Sequence, residues 1–151
     1  LGNGEEVMLA ATDLLAETKV APELSNEAHY YRAKAYLDAG KVEGAMDDLK
    51  ILAKDTRNIY GAEAKYKVAQ IYFDAGQTEQ AEKEVLDYIE VSTPHTYWLA
   101  RSFVLLSDVY MKLGRNLDAK QYLLSLKQNY QADDDIAGMI ESRLNKLNAE
   151  N

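Results

Sequence analysis

Three strings in this chain are near copies of one another: AYLDAG at 35–40, IYFDAG at 71–76 and VYMKLG at 109–114. Their glycines, Gly40, Gly76 and Gly114, stand 36 and 38 residues apart, and the likeness continues on both sides. Seven residues before each glycine is a small residue (Ala33, Ala69, Ser107), four before it a tyrosine (Tyr36, Tyr72, Tyr110), and five after it an alanine (Ala45, Ala81, Ala119). Self-similarity at this period means that one supersecondary unit is repeated and stacked on its neighbours. The unit itself is legible from apolar spacing. Val68, Ile71, Tyr72 and Ala75 precede Gly76, and Ala81, Val85, Leu86 and Ile89 follow it, each set at helical three-and-four intervals. Each copy therefore reads as helix, glycine stop, helix.

Physical chemistry assigns a task to each repeated residue. Glycine adopts the left-handed conformation that terminates the first helix without a Cβ penalty. The alanine after it lets the second helix approach closely, and the small residue before it is the matching surface on the first. The tyrosine fills the wider space above that contact with its hydroxyl at the rim. The pattern predicts helices over about 5–19, 26–39, 42–54, 59–75, 78–91, 94–113, 116–129 and 134–148. Thr93 with Pro94 at the first helical position is expected to open the sixth, and Asp133 to cap the eighth.

With these residues in place, the chain resembles the tetratricopeptide repeat family over residues 25–130. The resemblance implies an all-α fold, a right-handed superhelical stack of antiparallel helix pairs. It implies one domain over 1–151, with repeats at 25–56, 58–92 and 94–130. Ala10 stands 35 residues before Ala45, so 1–20 is expected to be the second helix of an incomplete repeat, and the chain a C-terminal fragment of a longer protein. Ile136, Ile140, Leu144 and Leu147 form one narrow apolar stripe, as in a capping helix over 133–149. The longer period and KVAQIYFDAGQTEQAEKEV are similar in style to tetratricopeptide proteins of the bacterial cell envelope, which implies a periplasmic or envelope-associated location.

Composition narrows the function. A net charge of −8 opposes phosphate backbones and anionic membranes, and no apolar run approaches the roughly 20 residues of a membrane span. With no cysteine, thiolate zinc sites and cysteine nucleophiles are excluded. His29 and His95 lack a second ligand at helical spacing, and the run Asp133, Asp134, Asp135 departs from a calcium loop at Ala137 and Leu144. Asp47 and Asp48 point to different faces of a helix and cannot share a proton. No enzyme, cofactor or metal is expected.

In the family the first helices line a concave face that binds partners. Carried over, the resemblance implies a peptide- or protein-binding face formed by Tyr30, Lys34 and Leu37, then Tyr66, Gln70 and Phe73, then Tyr97, Arg101, Asp108 and Met111, with Glu27, Glu63 and Val104 on the same stripes. Tyrosines interleaved with charges suit an extended segment. The family's carboxylate clamp is not expected, because Tyr30, Lys34, Lys67, Arg101 and Leu105 at those positions keep some cations and neither asparagine. Asp38 and Asp74 sit in last turns, against the helix dipole. The function expected is a non-catalytic protein-interaction module, with a spacer or self-association module as the alternative.

Overall fold

The computed structural model describes residues 2–16, 21–91 and 93–149. Among them the chain is all-α: α1 (Gly2–Ala16), α2 (Pro22–Asp38), α3 (Val42–Leu52), α4 (Ile59–Asp74), α5 (Thr78–Glu90), α6 (Thr96–Lys112), α7 (Asn116–Asn129) and α8 (Ile136–Ala149). It divides into two compact units, residues 1–68 and 69–151, with the boundary inside α4.

The three repeated glycines end α2, α4 and α6 in one geometry. Their φ angles are 75°, 78° and 77°, in the region that favours glycine. At each, the glycine N–H donates to the carbonyl three residues back (Leu37, Phe73, Met111; 3.0–3.1 Å). The next N–H donates to the carbonyl of the repeated tyrosine: Lys41 to Tyr36 at 2.8 Å, Gln77 to Tyr72 at 2.9 Å, Arg115 to Tyr110 at 2.7 Å. This pair of bonds satisfies the carbonyls a helix end leaves open. The tyrosines thus act through their backbone as well as their rings.

The alanines that follow are sealed: Ala45, Ala81 and Ala119 are each 0% exposed. Opposite them, Ala33, Ala69 and Ser107 are buried, and the Ser107 hydroxyl donates to the Val104 carbonyl at 2.6 Å, which satisfies its polar group inside the core. In unit 1 the close approach extends to Gly44, whose missing side chain leaves room for the Tyr36 ring. In unit 2 the Tyr110 ring stacks on Tyr122 at 5.6 Å, and the Arg115 guanidinium lies 4.3 Å from its centroid. Ile136, Ile140, Leu144 and Leu147 are buried, as the narrow stripe on α8 required.

Some boundaries differ from the sequence reading. α2 begins four residues early because Pro22, at the first turn, supplies a fixed φ and lacks an N–H it does not need there. Pro94 does not open α6, which begins at Thr96; Thr93 Oγ1 instead accepts the His95 N–H at 3.1 Å in a turn ahead of the helix. At α8 the capping acceptor is Asp134, whose carboxylate takes the Ile136 N–H at 2.9 Å, rather than Asp133. α1 ends at Ala16, and the rest of its expected span, 17–19, lies outside the described residues.

A close approach unmarked by the repeat occurs at Gly61. A Cβ there would overlap the backbone carbonyls of Asp55 and Leu52, so α4 in unit 1 runs against the turn that precedes it. Three glycine-to-alanine variants separate these roles in urea denaturation. Gly61→Ala is expected to cost about 1–3 kcal/mol or more through overpacking against backbone, and Gly40→Ala about 1–2 kcal/mol through left-handed strain. Gly138→Ala, in an open helical position of α8, should gain up to about 1 kcal/mol. An unchanged midpoint for Gly61→Ala contradicts this assignment.

Candidate functional site

In unit 1 the first candidate stripe lies on α2. Tyr30 is half-buried, Lys34 exposed and Leu37 half-buried. The Tyr30 hydroxyl donates to both carboxylate oxygens of Glu63 at 3.2 Å, and its ring sits 4.5 Å from that of Tyr60 and 5.3 Å from that of Tyr31. Burial, with Glu63 beside it, pushes the Tyr30 phenol up to about 12. Lys67 pairs with Glu63 at 2.5 Å and lies 6.0 Å from the Tyr30 ring. That cation is engaged within unit 1.

Tyr66 does not share this surface. It is 6% exposed and belongs to the core of unit 1. The three-and-four spacing that placed it with Glu63 cannot distinguish a solvent-facing row from one covered by a neighbouring element. Val104, on the third stripe, is likewise core at 3% exposed.

In unit 2 the second and third stripes hold Gln70 and Phe73 on the end of α4 and Tyr97, Arg101, Asp108 and Met111 on α6, all half-buried. Phe73, Asp108 and Met111 come together with Lys112 and Lys146 to line an open pocket of about 430 Å³. Asp108 is held from α8, where Arg143 donates from Nε at 2.7 Å and from Nη2 at 2.9 Å in a fork. No acid pairs with Lys112 or Lys146 among the described residues. The pocket therefore offers two apolar side chains under a positively charged rim, in a chain of net charge −8.

Tyr97 and Arg101 form a separate cluster in unit 2. The Arg101 guanidinium lies 5.9 Å from the rings of both Tyr97 and Trp98 and donates to the Tyr97 hydroxyl at 3.0 Å; that hydroxyl donates to Asp135 at 2.9 Å. Burial raises the Tyr97 phenol, Asp135 raises it further and Arg101 opposes the rise. Asp74, against the dipole of α4, accepts from Gln70 Nε2 at 2.8 Å.

One network escaped the sequence reading. Asp48 is 1% exposed, accepts from Arg32 Nε at 2.8 Å and Nη2 at 2.6 Å, and meets His29 Nδ1 at 2.7 Å. Arg32 also donates to Thr12 Oγ1 at 3.1 Å and so links α1, α2 and α3. His29 is thus a partner of a buried carboxylate. Asp47 next to it is exposed, as its opposite helix face required. Among the described residues no group of three or more His, Cys, Asp and Glu could hold a metal ion, and no helix is long and apolar enough to cross a membrane.

Residues 27–55 and 100–129 match models of the tetratricopeptide repeat. Two of the helix–glycine–helix units are similar to that repeat in sequence as well as in form. No curated protein and no solved structure matches the chain. Tetratricopeptide repeats in general mediate protein–protein interactions, and the fold here is all-α and of that helical-repeat type.

Asp48→Ala should destabilise the protein by about 2–4 kcal/mol, less than the ~3–5 kcal/mol of a fully buried broken pair because Arg32 and His29 can reach water; chemical denaturation reads the loss, and a value near zero removes the network's structural role. The tyrosines give a second test. Tyr110, with burial first and Glu82 second, and Tyr30 are both pushed up to about 12, whereas an unfolded chain releases these protons near the ordinary value of about 10. Between these values the unfolded state binds fewer protons. The stability these groups contribute is therefore complete below pH 10 and falls as pH rises through about 12. Absorbance at 295 nm should show tyrosines titrating late and together with loss of helical circular dichroism; normal early titration of all eleven tyrosines sinks this expectation.

Proposed function

We propose that this chain is a non-catalytic interaction module that binds a peptide or protein segment. The observation that carries the reading is the pocket of Phe73, Asp108 and Met111 under Lys112 and Lys146. Half-buried apolar side chains beside unpaired cations suit an apolar side chain flanked by acidic groups, with the forked Arg143–Asp108 pair holding one wall in place. Tyr97 and Arg101 add an amphipathic aromatic and a cation to the same compact unit, residue types enriched where binding energy concentrates. Lys34, Leu37 and Tyr30 supply a corresponding mixed stripe on unit 1.

The reading extends to scaffolding of a bacterial envelope complex. Its support is the repeat spacing of 36 and 38 residues and the likeness of repeat style. Recovery of the native protein solely from the cytosolic fraction of its own cells removes that extension.

The binding proposal is tested by capturing partners from native lysate, mapping the bound segment, and titrating that segment calorimetrically against the chain and a folded Phe73→Ala, Met111→Ala variant. The expected outcome is at least about a tenfold weaker Kd for the variant, equivalent to about 1.4 kcal/mol. Equal affinities for the two proteins sink the pocket as the site.

A further inference from the structure

Two charged residues that line the Phe73 pocket stand one helical turn apart on α6: Asp108 and Lys112, the acid first. An acid four residues before a lysine is the order in which the two pair most favourably on a helix. Here they do not pair. Arg143 of α8 forks the Asp108 carboxylate at 2.7 and 2.9 Å, and Lys112, exposed at the rim, meets no acid among the described residues.

The preceding repeat shows that these two positions can reach each other. The step from Gly76 to Gly114 carries Gln70 and Asp74 of α4 to Asp108 and Lys112. On α4 the contact is closed, with Gln70 Nε2 donating to the Asp74 carboxylate at 2.8 Å. On α6 the same positions hold opposite full charges, whose attraction exceeds that of an amide for a carboxylate, yet the contact is open. The difference between the two helices is the guanidinium.

Chemistry explains why the guanidinium takes the acid. Its planar fork engages both carboxylate oxygens at once, whereas an ammonium is a point charge on a flexible stem. Arg143 is also held from its own helix, since Nη1 donates to the Met139 carbonyl at 3.2 Å. The Arg143 and Asp108 side chains keep 27% and 23% of their surface, so their pair is partly withdrawn from solvent, while a pair formed by Lys112 would lie at the exposed rim. Asp108 is thereby neutralised within the scaffold, and the charge that faces a ligand is that of Lys112 and Lys146.

We propose that Arg143 is the positioning residue of this pocket: by holding Asp108 it keeps Lys112 free for an acidic group of the bound segment, and so makes the pocket prefer an apolar side chain flanked by acids to the same side chain flanked by neutral residues. The proposal rests on the reading of the Phe73 pocket as the binding site. Without the fork, Asp108 turns one helical turn along to Lys112 and takes the place of the ligand's acid.

Dimethylation of the lysines with isotope-labelled formaldehyde gives each a separate NMR signal, and a Lys112→Arg variant assigns that of Lys112. In Arg143→Met, which keeps the apolar stem, this signal should move as Asp108 pairs with Lys112, and adding Asp108→Asn should return it; a role for Arg143 confined to packing predicts no such return. Two seven-residue peptides, each with one phenylalanine between paired aspartates or paired asparagines, read the consequence by fluorescence anisotropy. The unaltered chain should prefer the aspartate peptide at least about fivefold, Arg143→Met should reduce that preference to about twofold or less, and the double variant, with unchanged circular dichroism, should restore it. A Lys112 signal unmoved in Arg143→Met, or a preference that the double variant does not restore, overturns the proposal while the pocket stands. Equal binding of the aspartate peptide by the unaltered chain and by a folded Phe73→Ala, Met111→Ala variant instead removes the pocket as the site, and the selectivity proposed for it falls with it.

Discussion

The close approach of two helices at an alanine sets the terms for everything else in the structure. Ala45, Ala81 and Ala119 are sealed, the turn just before each reverses the chain within a few residues, and a left-handed glycine does this while satisfying the last carbonyls. Glycine follows from that requirement, and the ring four residues earlier follows from the space that opens above the contact. In unit 2 that space is closed by Tyr110, Tyr122 and Arg115 in one stack. Burial of small residues gains little apolar area per side chain, so the stability of each hairpin rests on larger groups around the alanine, such as Leu49 in α3 and Leu123 in α7.

The division between scaffold and surface follows from the same geometry. A first helix packs through its small residue and presents other rows elsewhere. On α6, Ala100 and Ser107 are buried while Arg101, Asp108 and Met111, one or more residues along, are half-buried. The half-buried class is the useful one for recognition, since such side chains are already restrained by neighbours and still reach a ligand. Asp108 illustrates it: the Arg143 fork fixes the carboxylate and leaves the adjacent Met111 as an apolar wall.

Much of this was legible in the sequence because helical periodicity and glycine stops are local signals. The eight helices of the described residues, the left-handed glycines, the sealed alanines and the stripe on α8 all follow from residue spacing. Where reading stopped, the missing information was non-local. Tyr66 and Val104 lie on correctly spaced rows, yet a row's exposure depends on which neighbour covers it. Pro94 marks a turn rather than a helix start because Thr93 finds the His95 N–H first. The Asp48 network joins residues 16 and 19 positions apart on two helices, and only their antiparallel register brings Arg32 and His29 to one carboxylate. The pocket at Phe73 was partly foreseen through Phe73, Asp108 and Met111; the contribution of Lys146 required α8 to be placed.

That carboxylate also bears on how near-identical hairpins find the correct mates while folding. The step from Gly40 to Gly114 carries His29 to Phe103 and Asp48 to Tyr122, whose rings lie 6.1 Å apart. One hairpin thus closes on an ion pair at the position where another closes on two aromatic rings. If α3 were to fold against α6 in place of α2, the Asp48 carboxylate would face Phe103 and Leu106 and lose both its partners, a buried charge without compensation. A repeat chain risks trapping itself in exchanged pairings because its units look alike. Here the shared glycine and alanine make every hairpin possible, and the unshared pair at this one position sets the pairing of α3 with α2 apart from that of α7 with α6.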